Sequence, residues 1–141
     1  MATGKINMGR VILGGLLAGV VINASEAVLN LLVVPQQMED MLKARNLPAV
    51  DSSVIMVFVL LGFLLGIVTV WLYAAIRPRF GPGMGAAIMA GLAVFFLAYV
   101  YTVAGMMAMS FFSSGLALIM LLWGLVEILL ASIAGAWAYK E

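Results

Sequence analysis

Residues 54–76 read VIMVFVLLGFLLGIVTVWLYAAI, a run of twenty-three residues without a charged side chain. At ~1.5 Å per residue, a helix of this length reaches about 35 Å and exceeds the roughly 30 Å hydrocarbon core of a bilayer. The apolar residues do not alternate with polar ones, which argues against a β-barrel strand. The segment therefore predicts a transmembrane α-helix.

Three further apolar segments accompany it, at residues 11–34, 84–109 and 116–139, and each exceeds the ~20 residues needed to span hydrocarbon. The basic residues Lys5 and Arg10 before the first segment are also typical of a secretory signal peptide, but that segment is longer than a signal core. We therefore count it as a span. The sequence predicts an all-α membrane protein, one domain over residues 1–141 with four transmembrane helices in an antiparallel up-down bundle of two hairpins.

The linkers carry their own signals. Residues 77–83 contain two prolines and two glycines, which predict a compact reversal directly after the second span. Residues 35–53 predict a short external amphipathic helix at the interface, because Pro35 suits a first turn and Glu39 pairs with Lys43 at i,i+4. Its apolar edge would consist of Met38, Met41 and Leu42, and the N-cap oxygens for the second span would come from Asp51, Ser52 and Ser53.

The composition limits the possible functions. The chain is 66% hydrophobic and 9% charged with a net charge of +1, which argues against a soluble fold and against a nucleic-acid partner. It contains neither Cys nor His, so the usual thiolate and imidazole metal sites and the commonest general base cannot form. We therefore expect no metal, no cofactor and no catalytic residue.

The distribution of basic residues predicts the orientation. Five of the seven fall on one side of the predicted bundle, namely Lys5, Arg10, Arg77, Arg79 and Lys140. Lys43 and Arg45 fall on the other side and are diluted by acids. The termini should therefore be cytoplasmic, in a bacterial-type inner membrane, and Arg77 and Arg79 should lie among the headgroups of the lipid bilayer.

Two spans have a face of small and polar residues. In the first span Gly15, Gly19, Asn23, Glu26 and Asn30 fall in a stripe about 80° wide. The corresponding face of the fourth span consists of Gly124, Glu127, Ala131, Gly135 and Ala138. A GxxxG pair, Gly62 and Gly66, lies in the second span. We expect the glycines to pack helices together, because such faces avoid lipid tails and turn to the interior or to a partner.

Glu26 and Glu127 are predicted at a similar depth, since they lie about 24 Å and about 20 Å from the cytoplasmic ends of their helices. If the carboxyls meet, both cannot be ionised without a cation nearby. They would then bind an ion or substrate together with Asn23 and Asn30, and Tyr99, Tyr101 or Thr102 would hydrogen-bond to one of them. The alternative is that these groups only tie helices together.

Three functions remain open. The first is a homo-oligomeric transporter or channel for a proton, cation or small molecule, with the two carboxyls as binding groups. The second is a non-catalytic accessory or assembly subunit that packs against a larger membrane-protein partner. A lipid-modifying enzyme ranks lowest, because no nucleophile and base pair is visible, and we expect no enzymatic activity.

Overall fold

The computed structural model describes residues 4–140, so residues 1–3 and 141 of the predicted domain lie outside the described part. The described residues are mostly helical and contain no strand. The α-helices are α1 (Met8–Val28), α2 (Pro35–Ala44), α3 (Ser52–Phe80), α4 (Met84–Val94), α5 (Tyr101–Ala108) and α6 (Ser114–Ala138). Two π-helical segments, Leu29–Val33 and Phe95–Val100, follow α1 and connect α4 to α5.

Within residues 4–140, four continuous helical stretches are long and apolar enough to cross a membrane. They are span one (Met8–Val33), span two (Ser52–Phe80), span three (Met84–Ala108) and span four (Ser114–Ala138). The four predicted spans are thereby confirmed as helices, with ends that differ from the predicted ones by a few residues. The protein thus has the helical content of an integral membrane protein.

The predicted helix break at residue 77 is wrong. Span two continues through Pro78 to Phe80, and the chain reverses only at Gly81–Gly83. Pro78 lies in the last turn, where its missing N–H removes a single bond to a preceding carbonyl. The reversal itself depends on Gly81 and Gly83, whose φ angles of 81° and 111° are reached readily only by glycine.

Side-chain caps fix where three helices begin. Asn7 accepts a hydrogen bond from the N–H of Arg10 at the start of α1, and Ser113 accepts one from the N–H of Leu116 at the start of α6. Asp51 accepts one from the N–H of Val54 at 3.0 Å, so the predicted capping of span two is confirmed.

Glycines form the seam between α1 and α3. A Cβ atom on Gly15 would lie 2.5 Å from Cα of Ile67, and one on Gly19 would lie 2.8 Å from Cα of Phe63. A Cβ atom on Gly66 would meet the backbone of α1 directly. Each of these glycines therefore allows a backbone approach that a side chain would prevent.

Small residues also line the contacts of α6. Gly135 faces the carbonyl of Gly14 in α1, and Ser132 donates a hydrogen bond of 2.7 Å to the carbonyl of Ala87 in α4. The helices α1 and α6 thus contact each other and place the interior-facing sides of spans one and four together. Outside these contacts, large apolar side chains such as Leu32, Leu97 and Phe58 are exposed, as expected for surfaces in contact with lipid.

The helix α2 packs over one end of the bundle. It contains the predicted ion pair, with Lys43 and Glu39 at 2.5 Å, and none of its residues is fully buried. Beneath it lies an apolar cluster in which Leu29, Val34 and Leu116 are buried and Met38 packs against them. Met38 thus connects α2 to the apolar residues of the bundle.

Candidate functional site

A single acid is buried near the middle of span four. Glu127 is 2% exposed and lies about 20 Å from the start of α6 and about 17 Å from its end. It is among the largest fully buried side chains in the described residues. A carboxyl at this depth is expensive unless it is neutralised or bound.

The two oxygens of the Glu127 carboxyl differ in their hydrogen bonds. Its Oε2 atom accepts a hydrogen bond of 2.5 Å from the phenol of Tyr99 in span three. Its Oε1 atom is buried and accepts no hydrogen bond of ordinary geometry from residues 4–140, although the Ser25 hydroxyl lies close to the carboxyl. One oxygen of a fully buried carboxyl is thus available for a proton or a cation.

The side chains of Ser25 and Glu26 in span one lie beside the Glu127 carboxyl. Glu26 and Glu127 are close enough to share a hydrogen bond, which two carboxyls form only when one of them carries a proton. The Asn30 side chain donates 3.2 Å to Oε2 of Glu26 and 2.9 Å to the Glu26 carbonyl. The structure therefore brings Glu26, Asn30 and Glu127 together in one layer, which we call the carboxyl pair and its amide.

Asn23 lies outside this layer. Its amide donates a hydrogen bond of 3.2 Å to the carbonyl of Val59, and its Oδ1 atom packs against Gly62 of α3. A Cβ atom on Gly62 would come 2.6 Å from that oxygen. Asn23 and Gly62 thus join spans one and two, and Asn23 is one helical turn from the carboxyls.

Both π-helical segments contribute to the site. Asn30 lies in Leu29–Val33 and Tyr99 lies in Phe95–Val100. A π turn shifts the residues after it relative to the α-helical face, and such turns occur frequently at functional sites. Helical periodicity carries no signal for either segment.

Of the three hydroxyl residues predicted to hydrogen-bond to an acid, only Tyr99 does so. Tyr101 is 79% exposed and Thr102 is also exposed, so neither reaches the carboxyls. The Tyr99 ring packs directly against Gly124 of span four, where a Cβ atom would collide with it. The predicted packing glycine of span four therefore makes room for the ring that reaches Glu127.

Sequence reasoning also missed Ser25 and Trp123. The indole Nε1 of Trp123 in span four donates a hydrogen bond of 2.9 Å to the Ser25 hydroxyl. This bond fixes the Ser25 side chain next to the carboxyl pair. The only signal available was the position of Trp123 four residues before Glu127, which places both on one helical face.

Among the described residues, no basic side chain forms an ion pair with the carboxyl pair. Among residues 4–140, the only ion pair joins Lys43 to Glu39 on α2, and no group of three or more His, Cys, Asp or Glu side chains that could hold a metal ion is present in that part of the chain. The two carboxyls therefore have Tyr, Ser and Asn around them and no protein cation.

The two predicted headgroup arginines differ in their surroundings. The Arg77 guanidinium lies over the Tyr139 ring, 5.5 Å from its centroid, whereas Arg79 is exposed.

Arg77 also lines a pocket of about 400 Å³ at the end of the bundle where α3 ends. A second pocket of about 500 Å³ lies between α2 and the turn that precedes α6, and neither is lined by Glu26 or Glu127.

Comparison of the chain with protein-family models, with curated proteins and with solved structures found no match.

Proposed function

We propose that the chain is a small transporter or channel that moves protons or small cations across a membrane, with Glu26 and Glu127 as the groups that bind and release them. The observation that carries this proposal is the buried Glu127 carboxyl, 2% exposed, with a second carboxyl beside it and with one oxygen that accepts no hydrogen bond of ordinary geometry from residues 4–140. Two acids in hydrocarbon require compensation of their charge. Since no basic side chain in the described part of the chain pairs with them, a proton or a cation from outside the protein does.

The neighbours of the two carboxyls support a role in exchange. Tyr99 donates to one oxygen of Glu127 and leaves the other available, and Asn30 orients Glu26. A site that only tied helices together would satisfy both oxygens of a buried acid. Glu26 is partly exposed, so it is the member of the pair through which an ion enters or leaves.

The working form in this proposal is a homo-oligomer in a bacterial-type inner membrane. Four helices enclose little space, and neither pocket reaches the carboxyl pair, so a path across the membrane requires a second copy or an opening of the bundle. The bundle is antiparallel and up-down, which the contacts of Gly15 with Ile67 and of Gly19 with Phe63 support. In this arrangement α2 lies at the external interface and both termini are cytoplasmic.

The test is ion flux into liposomes that contain the purified protein and a pH-sensitive dye. We expect Glu127→Gln and Glu26→Gln to reduce proton-driven flux to the leak of protein-free liposomes, because glutamine has the same shape and cannot bind a proton or a cation by charge. Parallel assays with sodium and potassium gradients identify which ion moves.

Glu39→Gln is the matched control, since Glu39 is an exposed acid on α2 with no contact to the carboxyl pair. It should retain wild-type flux. Wild-type protein without flux, purified as a single chain or together with a different membrane protein, would instead favour the alternative of a non-catalytic accessory subunit.

A further inference from the structure

The groups that hydrogen-bond to the two carboxyls are donors. The Tyr99 phenol donates to Oε2 of Glu127 at 2.5 Å, and the Asn30 amide donates to Oε2 of Glu26 at 3.2 Å. Both neighbours therefore present hydrogen atoms to the carboxyl oxygens, and not the oxygen lone pairs that a metal ion binds. A metal ion at these carboxyl oxygens would have to displace the donors.

The Ser25 hydroxyl is oriented by Trp123. Its oxygen accepts a hydrogen bond of 2.9 Å from the indole Nε1, and the Glu127 carboxyl lies beside it. The indole group only donates, so it occupies one lone pair of the Ser25 oxygen and leaves the hydroxyl hydrogen for an acceptor. Because the neighbouring acceptor is the Glu127 carboxyl, Ser25 is a third donor to the pair.

Two further oxygens of span one are already engaged. The Glu26 carbonyl accepts a hydrogen bond of 2.9 Å from the Asn30 amide, and Oδ1 of Asn23 faces Gly62 of α3. A metal cation needs several oxygens to replace its hydration shell, about six or more for Mg²⁺ and Ca²⁺. The part of the chain that the structure describes offers no group of three or more His, Cys, Asp or Glu side chains for this purpose.

We propose that the carboxyl pair holds one proton, shared between Glu26 and Glu127, and excludes metal cations, with Tyr99 and Ser25 as the residues that set this specificity. A shared proton needs one oxygen from each carboxyl, and Oε1 of Glu127 accepts no hydrogen bond of ordinary geometry from residues 4–140. The three donors stabilise the negative charge that remains on the pair. This inference deepens the proposed function and rests on it, because it names the proton as the ion that the pair carries.

The test is infrared spectroscopy of the purified protein in lipid at neutral pH, which detects the C=O stretch of a protonated carboxyl. Wild type should show this band, and the double variant Glu26→Gln with Glu127→Gln should lack it. Replacement of choline chloride by sodium, potassium or magnesium chloride should leave the wild-type band unchanged. Absence of the band from wild type, or its loss on addition of one of these salts, would overturn the proposal.

Tyr99→Phe tests the specificity, because it keeps the ring against Gly124 and removes one donor. We expect the apparent affinity for sodium to rise about tenfold, so that sodium weakens the band at concentrations that leave wild type unchanged; one hydrogen bond to a charged group has this magnitude. Ser25→Ala should act in the same direction and decides the question if Tyr99→Phe proves misfolded. Tyr101→Phe changes a 79% exposed tyrosine of the same span and should behave as wild type. An equal response of both phenylalanine variants to sodium would refute the role of Tyr99.

Ion flux into liposomes separates this inference from the proposed function. Proton flux together with a band that salts do not change would support both. No flux of any ion with the same unchanged band would contradict transport and still support the shared proton. Sodium or potassium flux together with loss of the band would overturn the proton specificity and leave transport standing.

Discussion

At the scale of single residues, the close backbone contact between α1 and α3 depends on Gly66. A Cβ atom there would lie 2.5 Å from the carbonyl oxygen of Gly15 and 2.5 Å from the backbone nitrogen of Gly19. Both neighbours are backbone atoms, so no side-chain rotation can relieve the contact. We expect Gly66→Ala to lower the free energy of unfolding by about 1–3 kcal/mol, as overpacking does elsewhere, measured by SDS titration of the purified protein.

Gly105→Ala is the control for this substitution. Gly105 is also helical, and a Cβ atom there meets nothing within 4 Å. Alanine favours helix more than glycine does, so this variant should be as stable as wild type or slightly more stable. Equal stability of the Gly66→Ala and Gly105→Ala variants would contradict the close α1–α3 contact.

Helical periodicity predicted which residues share a face, but not what that face contacts. It placed Asn23, Glu26 and Asn30 on one stripe of span one, and two of them contact each other beside Glu127. It could not show that Asn23 instead binds a carbonyl of span two. The partner of a side chain depends on how the helices are arranged. For the same reason it could not choose Tyr99 over Tyr101.

At the scale of elements, the start of α3 depends on a titratable cap. Hydrogen bonds from the Ser53 hydroxyl and the Val54 N–H hold the pKa of Asp51 below its ordinary value of 3.8. Because the folded-state pKa is the lower one, the stabilising contribution is fully present above the ordinary value and is lost as the pH falls through the folded-state pKa. Stability should therefore decrease at acidic pH through this residue.

Asp51→Asn isolates that contribution, because asparagine keeps the oxygen that accepts the Val54 N–H but does not titrate. We expect wild type to melt at a higher temperature than Asp51→Asn near neutral pH, and the difference to shrink below about pH 4. Circular dichroism in detergent measures both melting curves. Asp40→Asn, an exposed acid that caps no helix, should show no comparable change, and a constant difference for Asp51→Asn would refute the role of its charge.

Hydrophobic length predicted the four spans, because the bilayer thickness sets the number of apolar residues that a helix needs. The two π-helical segments and the continuation through Pro78 were not predictable in the same way. A π turn depends on a local shift of hydrogen bonds that side-chain contacts across helices stabilise. Proline in a last turn removes only one bond, so neighbouring residues decide whether the helix ends there.

At the scale of the whole molecule, charge is separated by depth. The acids Glu26 and Glu127 meet inside the bundle, whereas basic side chains lie at its ends. The start of α1 and the ends of α3 and α6 meet at one end, since Tyr139 contacts both Asn7 and Arg77. This end carries Lys5, Arg10, Arg77, Arg79 and Lys140, and by the distribution of positive charge it should face the cytoplasm.

The absence of cysteine from the sequence makes this orientation directly testable, because a single introduced thiol is the only one to react. Pro82 is exposed and lies in the turn before α4. Ser114 is exposed and is the first residue of α6. In intact cells a membrane-impermeant maleimide should label Ser114→Cys and leave Pro82→Cys unlabelled, whereas lysed cells should give labelling of both. Ala131→Cys, at a fully buried position, should react in neither sample. The opposite pattern in intact cells would place the basic end outside, since Arg77 and Lys140 lie at the same end as Pro82.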